Sequence, residues 1–192
     1  MVLADIFRSY RLRPWYQTTL EYLDKRYLSI HSRYENTFRF VSPESDNAKS
    51  YSYEYASILR DIATVFDSTI KKILDETSGT QDRKIHGYLD YLRQFESNLN
   101  YISIQFLDNQ HSLIYPFKPS DDGNPEWWKA YTSVKHFEID GVQNGNFEYC
   151  TTALAGIFAL RHGLTASNRT NNLFFAHAIS PVQLNYTDDF FK

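Results

Sequence analysis

Histidine and cysteine side chains are the first candidates for chemistry in this sequence, and most of them stand alone. No two of the six histidines have the i, i+4 spacing that places two metal ligands on one helical face. They are His31, His86, His111, His136, His162 and His177. The single cysteine, Cys150, has no Lys or Arg beside it and falls on an apolar stripe, which predicts a buried, unreactive thiol. The Walker-type, GxGxxG, GxSxG and HExxH patterns are missing, so the sequence predicts no metal site and no standard catalytic centre.

One pair of neighbouring residues, Lys135 and His136, combines the side chains that acid–base chemistry on an anion requires. A histidine can exchange a proton near neutral pH, and a lysine can stabilise negative charge on the reacting group. Adjacent residues of a helix point about 100° apart, so these two side chains converge on one group only near a helix end. A Gly- and Asn-rich stretch follows at residues 140–146, and the helix is therefore expected to end at about His136.

Residues 125–136, with the sequence PEWWKAYTSVKH, are the most distinctive segment of the chain. The segment resembles a family of uncharacterised bacterial proteins that carry the motif P-x-W-W-x-x-Y-N-x-V-K-H. That family also has an upstream Y-S-x-E and an apolar-Pro-Phe segment, which correspond here to residues 51–54 and 115–117. The resemblance extends over most of residues 35–163 and brings no established activity. Thr132 stands where the family usually has Asn, so a role that needs the amide is in doubt.

The same motif is distantly similar to the HEPN superfamily of helical proteins. Active members of that superfamily are metal-independent ribonucleases with an Arg-x(4–6)-His motif, often preceded by Asn. This resemblance implies that His136 acts as acid and base and that Lys135 binds the phosphate. A literal Arg-x(4)-His also runs from Arg26 to His31, but about one such match is expected by chance in a chain with this many arginines and histidines.

Two hypotheses about function follow. In the first, the chain is a non-enzymatic binding or regulatory module that contacts a partner through the aromatic face of this helix, with Trp128, Tyr131 and Thr132 as binding residues. The sequence does not identify the partner, which is a second copy of the chain or another protein. In the second, the chain is a HEPN-like metal-independent ribonuclease of a toxin or phage-defence system, and its partner is RNA. Neither hypothesis requires a cofactor.

Charge favours the first hypothesis. The formal net charge is −3 and the basic residues are scattered, whereas nucleic-acid-binding proteins usually carry a clear basic excess. The absence of the Asn, and of an Arg-x(4–6)-His in the WW segment, points the same way. The chain begins without the apolar region of a secretory signal, and no apolar run is long enough to span a membrane. We therefore expect a cytoplasmic protein without membrane contact.

Helical periodicity dominates the elements that must position these residues. Apolar side chains recur every three to four residues from about Leu20, over 51–76, from about 82, over 125–136 and over 147–162, where Gly163 is expected to end the helix. Asn124 is the expected N-cap of the WW helix, with Pro125 at its first position. We expect one core to contain Ile58, Ile62, Phe66, Trp127, Tyr131, Val134, Leu154, Ile157 and Phe158.

Between residues 101 and 117 the pattern changes to alternation. Apolar residues alternate with polar ones at Ile102, Ile104 and Phe106, and alternation returns after a polar turn at Leu113, Tyr115 and Phe117. This pattern predicts a β-hairpin. A helix that continues through Phe106 is the competing interpretation. The predicted fold class is all-α, a bundle of four or more helices with a small β-hairpin insertion. The whole chain, 1–192, is expected to be a single helical domain with less regular ends at about 1–14 and 164–192.

Overall fold

The computed structural model describes residues 10, 12–77, 82–94, 98–105, 113–136 and 140–165. Within those ranges the α-helices are α1 (Pro14–Thr37), α2 (Tyr53–Thr77), α3 (Ile85–Arg93), α4 (Glu126–His136) and α5 (Phe147–Thr165). The strands are β1 (Ile104–Gln105) and β2 (Leu113–Ile114). The predicted all-α bundle with a small hairpin is therefore confirmed.

Helix α2 lies at the centre of the bundle and packs against α1, α4 and α5. Its sequence explains this position, because apolar residues cover a wide face from Tyr55 to Leu74 and are buried along its whole length. The predicted core forms as expected, with eight of its nine members buried and Tyr131 half buried against them. Helix α3 joins the second half of α2 through the Tyr88 hydroxyl, which donates to Asp67 at 2.8 Å.

Helix α1 runs antiparallel to α5, and hydrogen bonds mark the length of their contact. The Tyr16 hydroxyl donates to the Leu164 carbonyl oxygen near one end, and the Tyr34 and Thr151 hydroxyls are bonded to each other near the other. The predicted stripe of α1 faces this contact and α2, since Leu23, Tyr27, Ile30 and Tyr34 are all buried. The helix pairs therefore follow directly from the apolar spacing.

The hairpin is present, but it is shorter than predicted and its second strand faces the other way. Ile104 pairs with Ile114, and β1 begins only after a 3-10 turn at Leu99–Tyr101. Residues directly opposite in an antiparallel pair share a face. Ile114 therefore points with buried Ile104 toward the core, while Leu113 and Tyr115 are exposed, contrary to the prediction. Phe106 and the turn that follows it lie outside the described residues.

Two helix ends also differ from the prediction. Helix α4 begins at Glu126, one residue late, because Pro125 is still in an extended bridge with Pro119, so Asn124 is not the N-cap. Gly163 does not end α5, which continues to Thr165 because Leu164 is buried against α1. Most of the predicted irregular ends, residues 1–9, 11 and 166–192, lie outside the described residues.

Candidate functional site

Trp127 anchors α4 in the core and thereby orients the whole WW segment. Its side chain is completely buried, and its indole Nε1 donates to the Pro116 carbonyl oxygen at 2.7 Å. The ring meets Phe66 of α2 edge to face, with the centroids 5.6 Å apart. On the other side Gly156 of α5 lets the Trp127 and Pro116 side chains lie against the helix. Residues 115–117 and 125–136, which the sequence singled out separately, therefore meet in one packed unit.

The loop after α4 ties the end of that helix to the start of α2. The Asn144 side-chain amide donates to the Ser133 hydroxyl at 2.9 Å, and the next residue, Gly145, lies directly against the backbone of Ala56. The Ser52 backbone N–H donates to the Gly145 carbonyl oxygen at 3.2 Å. The Ser52 hydroxyl in turn accepts from the Tyr55 N–H at 3.0 Å and caps α2. Residues 51–54 therefore start α2 and hold the α4–α5 loop.

Trp128 and Tyr131 lie at the margin of the core and remain half exposed. Their ring centroids are 5.1 Å apart, and Trp128 also contacts Phe66 at 6.1 Å between centroids. One turn further along the helix, the Lys135 ammonium lies over the Tyr131 ring, 5.7 Å from its centroid. The structure thus brings the two aromatic residues and the cation together in one row along α4.

Thr132 and His136 flank this row and are exposed. The Thr132 hydroxyl donates to the Trp128 carbonyl oxygen at 3.0 Å, a bond within the helix that leaves only the lone pairs of the oxygen and the methyl group toward solvent. His136 is the last residue of α4, where the unsatisfied carbonyl groups favour a cation. We call Trp128, Tyr131, Thr132, Lys135 and His136 together the α4 face.

Lys135 differs from most other lysines of the described residues in what it contacts. Lys49, Lys71, Lys72 and Lys129 each form an ion pair with a carboxylate. Within the described ranges, the contact recorded for Lys135 is an aromatic ring. The Lys135 ammonium therefore lies on the α4 face instead of pairing with a carboxylate of the described residues.

The literal Arg-x(4)-His match does not form a site. His31 is only 3% exposed, and burial lowers its pKa to about 4, so it stays neutral near pH 7. Its Nδ1 lies 3.3 Å from Glu35, while Arg26 lies 3.7 Å from Asp61. A buried imidazole cannot exchange a proton with an RNA substrate on the surface. Cys150 is fully buried as predicted, and burial raises the pKa of its thiol.

A groove of about 320 Å³ lies beside the first turn of α4. Tyr115, Pro119 and Pro125 are among the residues that line it, and no residue of the α4 face does. Within the described part of the chain, no three His, Cys, Asp or Glu side chains are close enough together to hold a metal ion. A search of the same residues for a helix both long and apolar enough to cross a membrane finds none.

No family model, curated protein or solved structure matches this chain. The resemblance to the bacterial family with the P-x-W-W-x-x-Y-N-x-V-K-H motif, and to HEPN proteins, therefore stays a prediction from the motifs. What the geometry offers is a rigid row of two half-exposed rings beside a lysine and a histidine. Sequence reasoning found these residues through their unusual composition. It did not predict the exposure of three aromatic residues in the α1–α2 connection and at the start of α2, which are Phe40, Tyr51 and Tyr53.

Proposed function

We propose that this protein is a non-enzymatic binding module that contacts a protein partner through the α4 face. The observation that carries the proposal is the half-buried pair Trp128 and Tyr131, which packs against the core while Lys135 lies over the Tyr131 ring. Aromatic residues dominate the energetics of protein interfaces. Rings already fixed by packing lose little conformational entropy when a partner binds, so more of the contact energy remains as affinity.

A protein partner fits this face better than RNA does. Stacking of bases requires an open ring face, and one face of Tyr131 is already covered by the Lys135 ammonium. The net charge of −3 also works against phosphate binding over any extended surface. The cytoplasmic location remains a prediction from the sequence.

The ribonuclease hypothesis stays as the second candidate because Lys135 and His136 are both exposed, as such an activity requires. The two residues are adjacent on α4, so their side chains diverge by about 100° around the axis. The arginine expected in the HEPN motif is also missing from this helix. The acid–base group and the phosphate-binding group therefore diverge around α4, and only the end of the helix at His136 allows them to reach one phosphate.

Partner capture by the full chain tests the binding proposal. Wild-type protein, the double variant Tyr131→Ser/Lys135→Glu and the control Lys71→Glu would be used as bait in parallel, with proteins recovered from cells quantified by mass spectrometry. Lys71 is an exposed lysine of α2 that makes a single helical ion pair, so its loss leaves the α4 face intact. We expect a defined partner whose recovery falls at least about tenfold with the double variant and is unchanged with the control. Partners recovered equally by all three baits would contradict the proposal.

Cleavage of a mixed single-stranded RNA pool separates the two hypotheses. Wild type and His136→Ala would be assayed side by side without added metal. We expect the same background level of cleavage from both, because a binding module supplies no acid–base group to the reaction. Cleavage that disappears only in His136→Ala would overturn the binding proposal in favour of the ribonuclease.

A further inference from the structure

The connection from α1 to α2 and the first residue of α2 expose aromatic rings to an extent found in few other places of the described chain. Phe40 is 88% exposed, Tyr53 is 72% exposed and Tyr51 is 59% exposed. Most other tyrosines of the helices bury their rings, as Tyr16, Tyr27 and Tyr34 do. We call Phe40, Tyr51 and Tyr53 the aromatic end.

Backbone hydrogen bonds place these rings at one end of the bundle. The Phe147 N–H donates to the Ser50 carbonyl oxygen at 2.9 Å, so the extended residues before α2 pair with the start of α5. Extended backbone alternates its side chains, and Tyr51 therefore points outward while Ser50 is half buried. Phe38 packs on Phe147 with 6.4 Å between the ring centroids, which fixes the turn that carries Phe40 two residues later.

We propose that the aromatic end is a self-association surface that binds a second copy of this chain. A buried aromatic side chain contributes about 150–250 Å² of contact area, so three of them supply about half or more of the ~800 Å² that each partner buries in a stable complex. Homodimer interfaces are richer in apolar and aromatic surface than other contacts. An exposed Phe and two exposed Tyr match that composition.

The charges around the aromatic end suit a copy of the same surface. A two-fold interface is formed by one patch meeting itself, so a patch of a single sign would repel its copy. Arg39 lies next to Phe40, and Glu44 and Asp46 follow in the same connection, all three of them exposed. Lys49 is already paired with Glu148 of its own chain. Both signs are thus present in the connection that carries Phe40 and Tyr51, whereas an anionic membrane or RNA would require a basic excess.

The molar mass of the full chain in solution, measured by sedimentation equilibrium over a wide concentration range, tests this proposal. The variants are the triple Phe40→Ser/Tyr51→Ser/Tyr53→Ser and the control Tyr101→Ser, which removes a 76% exposed ring from the turn before β1. We expect a reversible dimer for wild type and control, and a dissociation constant at least about tenfold higher for the triple variant. Far-UV circular dichroism would verify that each variant keeps its helical content.

A second variant guards against indirect effects of three substitutions. Tyr53→Glu places one additional negative charge in the proposed interface of each copy, and we expect it to weaken the dimer as well. A wild type that is monomeric at every concentration would overturn the proposal. A dimer that is unaffected in the triple variant, or equally weakened by Tyr101→Ser, would overturn it too.

Discussion

Helix α5 has two contacts of different character, one with α2 and α4 and one with α1. Toward α2 and α4 it presents small and apolar groups, with Gly156 against the Trp127 ring and the Cys150 thiol donating to the Tyr55 carbonyl oxygen at 3.0 Å. Toward α1 it presents polar groups as well as the Phe158 ring, whose centroid lies 6.1 Å from that of Tyr27. Arg161 donates to Asp24 and places its guanidinium 5.4 Å from the centroid of the Tyr27 ring.

The α1 contact also contains buried polar atoms without a hydrogen bond. Within the described residues, the Tyr27 hydroxyl and the His31 Nε2 have no partner. Burial raises the pKa of Tyr27 and lowers that of His31, so both groups stay neutral at pH 7. The stability of the α5 contact with α2 and α4 should therefore depend on the size and shape of the packed side chains. The stability of the α5 contact with α1 should depend on the protonation of buried groups. The predictions below test that difference.

The largest effect is expected from Trp127→Ala on the apolar side. The variant leaves a large cavity in the core and removes the donor that bonds the Pro116 carbonyl oxygen. We therefore expect the free energy of unfolding to fall by about 3–5 kcal/mol. Trp128→Ala removes the same number of atoms from a ring that is partly exposed, so it should cost less. Urea unfolding followed by circular dichroism measures both. Equal losses would show that the two rings are not packed as described.

Acid should destabilise the α1 side. An unfolded histidine binds its proton near pH 6.5, whereas His31 in the folded protein resists protonation until about pH 4. The unfolded state therefore holds more protons between these values, and stability is complete above pH 6.5 and falls as the pH drops toward 4, by at most about 3 kcal/mol from this group.

His31→Gln removes that titration and should flatten the dependence of the unfolding free energy on pH between 6.5 and 4. A slope should remain, because burial, together with the neighbouring Arg161, also lowers the pKa of His162 to about 4. Glu35 and Tyr27 are titratable groups that contact His31, and Arg161 lies over the Tyr27 ring. Unfolding curves recorded at several pH values measure this dependence. If the free energy of unfolding falls as steeply with acid in His31→Gln as in wild type, groups other than His31 cause the acid sensitivity.

A pair of glycine substitutions should give the smallest and most selective effect. A Cβ at Gly145 would lie 2.5 Å from the Cα of Ala56, so Gly145→Ala must push the loop away from α2 and should cost about 1–3 kcal/mol. A Cβ at Gly156 would have ordinary contacts of 3.6 Å or more, and Gly156→Ala should be neutral or stabilise α5 by up to about 1 kcal/mol. Thermal unfolding of both variants measures this, and a reversed order would contradict the close approach at Gly145.

Helices whose apolar residues recur every three to four positions could be predicted from the sequence. The stripes of α1 and α2 predicted both the helices and their buried faces, because burial of one face is what gives an amphipathic helix its period. The helix end at Gly163 was wrong because packing of Leu164 outweighs the preference of glycine for a terminus. The hairpin was predicted, but the face on which the residues of its second strand lie was not. That face depends on which residues of the two strands are paired, and the alternating pattern alone does not determine the pairing.

The candidate site could be predicted as residue types but not as an arrangement. Composition singled out Trp128, Tyr131 and Lys135, but the position of the Lys135 ammonium over the Tyr131 ring follows only from the fold. The hydrogen bond from Trp127 to Pro116 spans eleven residues of irregular chain, and no periodic pattern reports such a contact. Exposure of Phe40 and Tyr51 was missed for the same reason.

The single cysteine gives this protein a native reporter of helix separation. Cys150 is completely buried between α5 and α2, and burial keeps its thiol protonated, so a thiol-specific reagent can react only while the two helices are apart. With one cysteine in the chain, the labelling rate measures how often that opening occurs. Labelling in native conditions that is faster than global unfolding allows would therefore report local opening of α5.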